Sequence, residues 1–200
     1  MTYYTTSKKI REHDQCPDSC EKLLRTIGKT SAYDEPISLV TILDSNGLDY
    51  ALRSLSLFDG INKDARLFAV WCARQVQHLM TDQRSLTALD VAEQFANGNA
   101  TDYQLSAAFT AAYCVLVDAT RKTTSWEAEW ATRAATRVAH RAAERAASGA
   151  ACYAASAAAY YSASAAERND ARISALKAQE NEFRRRFCIR SAIAKAEGKE

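Results

Sequence analysis

Apolar residues recur along this chain at three- and four-residue spacing, the period of a helix with one buried face. Leu23, Leu24 and Ile27 make a stripe that predicts a helix over Pro17–Ile27. Ile37, Leu39, Val40, Ile42 and Leu43 predict a second over Pro36–Ser45, apolar almost all round and so expected to be buried. Leu48, Ala51, Leu52 and Leu55 mark a third over Leu48–Phe58. The segment Lys63–Met80 reads as a central helix, with Leu67, Phe68, Val70, Trp71, Val76 and Leu79 apolar and Trp71 and Cys72 aimed at the core. Leu86, Leu89, Val91, Ala92 and Phe95 follow on a helix started by Asp82, then Leu105, Ala108, Phe109, Ala112 and Leu116 on a helix over Asp102–Thr120.

From Trp126 to Ala166 roughly every second residue is alanine. Alanine gives up no rotamer freedom in a helix, so this tract predicts helices over Trp126–Ser148 and Ala150–Glu167. A last helix is expected over Ala171–Ala196, with Ile173, Leu176, Phe183, Phe187 and Ile193 as its apolar side. Arg168-Asn169-Asp170 separates it from its predecessor only by polarity, so one long helix is the alternative.

Punctuation agrees with the periodicity. Pro17 and Pro36 stand where helices start, a place that tolerates the missing N–H. Gly28, Gly47, Gly60, Gly98, Gly149 and Gly198 each follow a periodic segment, as a helix-ending positive φ requires. Thr101-Asp-Tyr-Gln104 and Thr124-Ser125-Trp126-Glu127 fit capping boxes. No segment reads as a strand. The expected fold is an all-α, multi-helix bundle forming one domain over 1–200, with closely packed alanine-rich C-terminal helices separated by little more than methyl groups. Tyr153 and Tyr160 on the 150–167 helix either edge an internal seam or face a partner.

Charge divides the chain. Residues 1–120 hold 11 Lys/Arg against 15 Asp/Glu, net −4, and residues 121–200 hold 15 against 9, net +6. The asymmetry suits either an acidic partner or the docking of the two halves. The N-terminal stretch lacks the apolar core of a signal peptide, and no run has the apolar length of a membrane span, which predicts a soluble, cytoplasmic protein. Six cysteines in such a chain read as reduced, packed thiols.

Candidate chemistry is sparse. His13-x2-Cys16-x3-Cys20 has metal-competent groups but lacks the second half of a four-ligand zinc site, so no metal is expected. His78 and His140 lack a serine elbow, a paired carboxylate or a cysteine–histidine context, and no phosphate-cradling glycine loop occurs, so neither catalysis nor a cofactor is expected. The best-patterned polar feature is arginine. Arg133, Arg137, Arg141 and Arg145 repeat at i, i+4 along one helix face, and Arg184, Arg185, Arg186 and Arg190 form a second basic cluster. Glu129 and Glu144 relieve the first stripe without balancing it. It is therefore either a solvated face or an electrostatic surface for an acidic protein or nucleic acid, the latter disfavoured by the net charge of only +2.

Residues 35–49 (EPISLVTILDSNGLD), 66–74 (RLFAVWCAR), 88–98 (ALDVAEQFANG) and the alanine-rich tail resemble an all-helical immunity protein family. Its members occur beside bacterial toxin systems and, in related form, among temperate-phage accessory genes. The resemblance spans roughly residues 35–166 and rests on helix-packing patterns. It implies a non-enzymatic, all-α inhibitor that neutralises a bacterial enzyme or defence complex by stoichiometric binding. The eight arginines above are the expected contact residues. A nucleic-acid-binding accessory protein using the same arginines is the alternative, and a homo-oligomer is compatible with either.

Overall fold

A computed structural model describes residues 3–13, 17–30, 34–75, 77–80, 82–122 and 168–188. They are mostly helical, as the periodicity predicts. The chain divides into two compact units, Met1–Ile61 with Glu180–Glu200, and Asn62–Gln179. The helices predicted over Trp126–Ser148 and Ala150–Glu167, with Tyr153 and Tyr160, lie outside the described residues, as do Gly149 and Gly198.

The first unit contains a correction. Tyr4–Thr6 (β1) and Pro36–Ser38 (β2) form a two-stranded antiparallel sheet with Thr5 opposite Ile37, although no strand is legible in the sequence. Thr5 and Ile37 face inward at 4% and 3% exposure, while Tyr4 faces out. Pro36 thus opens a strand rather than a helix, its missing N–H costing little at a strand start. Helix α3 begins three residues later, at Leu39–Asn46, where Ser38 accepts a hydrogen bond from the Thr41 amide at 3.1 Å. Between the strands lie α1 (Ser7–His13), which no predicted helix covers, and α2 (Pro17–Thr26).

Helix α2 ends in a Schellman motif, with Gly28 N–H on the Arg25 carbonyl and Lys29 N–H on the Leu24 carbonyl. The end of α3 is tied to α2 by polar groups, one at each end of α2: Ser45 Oγ lies 3.0 Å from Thr26 Oγ1, and Asn46 Nδ2 donates to the Ser19 carbonyl at 2.7 Å. Gly47 then turns the chain into α4 (Leu48–Arg53). The predicted helix over Leu48–Phe58 tightens after Arg53 into a 3₁₀ turn, Ser54–Leu57. Ile10, Leu23, Leu39, Ile42, Leu55 and Ile61 are almost completely buried, as are Phe183 and Phe187 from the far end of the chain.

The second unit is built on α5 (Asn62–Gln75), α6 (Gln83–Ala96) and α7 (Asp102–Lys122), with α5 packed on α6 and α6 on α7. The central helix ends at Gln75, and a 3₁₀ turn at Gln77–Leu79 replaces its last predicted turn. Buried alanines recur at four-residue spacing on all three helices: Ala65, Ala69 and Ala73; Ala88 and Ala92; Ala108 and Ala112. Small residues on a buried face let backbones approach closely. Phe68 is buried and stacks on the half-buried Trp71, with Cys72 wholly inside. Arg74 crosses from α5 to α6, 3.0 Å from Asp90 and 2.6 Å from Glu93.

Asp82 caps α6, and the Thr101–Gln104 capping box closes as predicted: the Gln104 amide donates to Thr101 Oγ1 at 3.2 Å and the Thr101 amide to Gln104 Oε1 at 2.8 Å. The last described helix, α8, runs over Arg168–Phe183 and continues as a π-helical turn, Arg184–Cys188. Ile173 and Leu176, expected on its apolar side, are 59% and 39% exposed, so its buried residues start later than predicted.

Gly47 has φ 85° and ψ 176°, a conformation open to little besides glycine, and a Cβ there would meet nothing within 4 Å. Gly47→Ala is therefore expected to cost about 1–3 kcal/mol from backbone strain alone, read as a lower urea midpoint at unchanged slope. In the second unit Ala92 is fully buried, so Ala92→Leu is expected to destabilise by about 1–3 kcal/mol through overpacking. A gain in thermal midpoint would contradict close packing at that position.

Candidate interaction surface

Three of the eight predicted contact arginines lie among the described residues, all in the π-helical turn that follows α8. Arg133, Arg137, Arg141, Arg145 and Arg190 lie outside them. The turn belongs to the first unit, where it packs against α3. What places it is apolar. Phe183 and Phe187 stand one helical turn apart with ring centroids 4.5 Å apart, both buried, and Tyr3 meets Phe187 edge-on at 6.0 Å.

With the phenylalanines inside, the intervening arginines are held at the surface beside carboxylates. Arg184 reaches Asp44 of α3 at 2.7 Å and Glu180 at 2.8 Å. Arg185 grips Glu182 through Nε and Nη2, both at 2.7 Å, in the two-pronged geometry that suits a guanidinium to a carboxylate. Arg186 donates to the same Glu182 at 2.5 Å. Three guanidiniums thus sit among Glu180, Glu182 and Asp44, and the formal charges cancel. Arg185 is the most open at 62% side-chain exposure, Arg184 is partly covered, and Arg186 is at 18%.

The electrostatics follow from that geometry. The hydrogen bond from Arg185, aided by Arg186, holds the Glu182 carboxyl below the ordinary glutamate range against the opposing effect of burial. Hydrogen bonding to Glu180 and then Asp44 raises the Arg184 guanidinium further above its already high value, and Glu182 does the same for Arg185.

Two of these counter-charges were within reach of the sequence. Glu180 precedes Arg184 by four residues, and Glu182 precedes Arg185 and Arg186 by three and four, the spacings at which helical side chains meet. Asp44 is 140 positions from Arg184 and had no such signal.

Other candidate groups are scattered. His13 is exposed at the end of α1, Cys20 is buried on α2, and Cys16 lies outside the described residues. Among the described residues no cluster of three or more His, Cys, Asp or Glu is placed to hold a metal ion. His78 is exposed in the 3₁₀ turn after α5, and His140 lies outside. Helix α7 carries a feature that the sequence reading missed: opposite its buried side, Tyr103, Ala107, Thr110 and Tyr113 are exposed, and no charged residue occurs between Asp102 and Asp118. No described helix is long and apolar enough to cross a membrane. No family model, curated protein or solved structure matches the chain.

The depressed Glu182 carboxyl contributes stability that is present above the ordinary glutamate value, about 4.3, and is lost as pH falls through its lower folded value. Glu182→Gln should therefore be less stable than the parent at pH 6–7, with the gap narrowing as pH drops below about 4. Paired urea titrations at several pH values check this; a gap independent of pH would mean that the carboxylate's charge is not what stabilises the turn.

Proposed function

We propose that this chain is a non-enzymatic inhibitor of the immunity type, phage- or prophage-encoded, that binds a bacterial enzyme or defence complex one-to-one and covers its working surface. The observation that carries the reading is the concentration of positive charge after residue 120, where 15 basic residues face 9 acidic ones and Arg133, Arg137, Arg141 and Arg145 recur every fourth residue. Arginine is suited to this role because its planar, permanently charged fork binds carboxylates in pairs and is weakly hydrated for a cation. The resemblance of residues 35–166 to immunity proteins points the same way.

The eight arginines do not contribute equally to this reading. Arg184 and Arg186 are committed to carboxylates of their own chain, and Arg185, though similarly paired, keeps most of its side chain in solvent. Surplus charge resides in the stripe from Arg133 to Arg145, where Glu129 and Glu144 are the neighbouring carboxylates. The contact is with an acidic patch, and association is steered by long-range attraction.

Arg137→Glu combined with Arg141→Glu is expected to abolish capture of the partner while leaving the thermal midpoint of the free protein unchanged. Tagged parent and variant are compared on bacterial lysate, with and without nuclease. A protein complex retained near stoichiometry after nuclease by the parent and lost by the variant supports the inhibitor. Material that vanishes with nuclease, with affinity for purified duplex falling steeply as salt rises, would replace it with a nucleic-acid-binding accessory protein.

A further inference from the structure

The first and last described segments of the chain meet in the first unit, and Tyr3 joins them. The Tyr3 carbonyl accepts the Leu39 amide at 3.1 Å, extending the β1–β2 pairing to the start of α3, while its ring lies edge-on against Phe187. Arg184 fixes the same C-terminal turn to Asp44, near the other end of α3. The N-terminal strand is only three residues long and pairs on one side, too little to hold itself closed in water. It therefore needs a packed neighbour.

We propose that the segment Glu180–Phe187 is a clasp that keeps the N-terminal strand in the sheet, so that strand and clasp open and close together. Phe183 and Phe187 supply the anchorage, Tyr3 transmits it to β1, and the Arg184–Asp44 bridge sets the register of the segment on α3. Opening the clasp frees the backbone groups of Pro36–Ser38 that now pair with Tyr4–Thr6, leaving a short strand edge open to another extended segment. Exposure of that edge is thus conditional on the far end of the chain. The coupling is reciprocal, since a strand that holds the clasp is held by it to the same degree.

Hydrogen–deuterium exchange on the full-length chain tests this. Phe187→Ala should speed amide exchange over residues 4–6 and 37–39 by about tenfold or more, with α7 in the second unit unchanged as internal reference. Tyr3→Ala should conversely speed exchange over 180–187. Faster exchange over 180–187 with the β1–β2 amides within about twofold of the parent would overturn the proposal. If Phe187→Ala also loses protection in α7, the milder Asp44→Asn decides by the same two readings: joint acceleration of strand and clasp supports coupling, and acceleration of the clasp alone rejects it.

Discussion

Two phenylalanines one turn apart, Phe183 and Phe187, hold the end of the described chain against its beginning. The placement of the C-terminal turn on α3 depends on their burial. A core assembled from Ile10, Leu23, Leu39, Ile42 and Leu55 takes in both rings from more than a hundred positions away. Closing so long a loop has an entropic cost that grows only slowly with its length. Apolar burial drives that closure, and the charges arrange themselves around it.

That order of cause explains the state of the C-terminal arginines. Apolar burial orients the helix so that Arg184, Arg185 and Arg186 emerge beside Glu180 and Glu182 on their own segment and Asp44 on α3. Exposed pairs of this kind add little to stability, but Glu182 is nearly buried and two guanidiniums converge on it. Removing that carboxylate would leave two cations crowded at a packed turn. A run that reads as strongly basic in sequence is neutral where it folds, and this shifts the weight of the inhibitor proposal toward the arginine stripe of residues 133–145.

The second unit solves a different problem with alanine. Its three helices carry buried alanines at four-residue spacing, and larger groups such as Phe68, Leu89 and Leu105 are buried with them. Buried alanine faces of the kind expected in the tail thus occur within residues 62–122. Arg74 adds a polar tie between α5 and α6, its guanidinium raised by Glu93 first and, less strongly, by Asp90.

What the sequence determined by itself was whatever depends on neighbours within a turn or two. Helix character, the Asp82 cap, the Thr101–Gln104 box, the stops at Gly28, Gly47 and Gly98 and most inward positions of α4–α7 were legible because propensity, capping and periodicity act over three to five residues. The i, i+4 spacing of Glu180 and Arg184 was equally visible. Tertiary structure alone decided the rest. The β1–β2 pair joins residues thirty or more positions apart, neither strand with a period long enough to register, so Pro36 looked like a helix start. Trp71 came out half-buried and Ile173 exposed because an apolar face becomes core only where another element covers it. Asp44 became the partner of Arg184 because packing of the phenylalanines delivered the guanidinium to α3, and local spacing carries no record of such a distance.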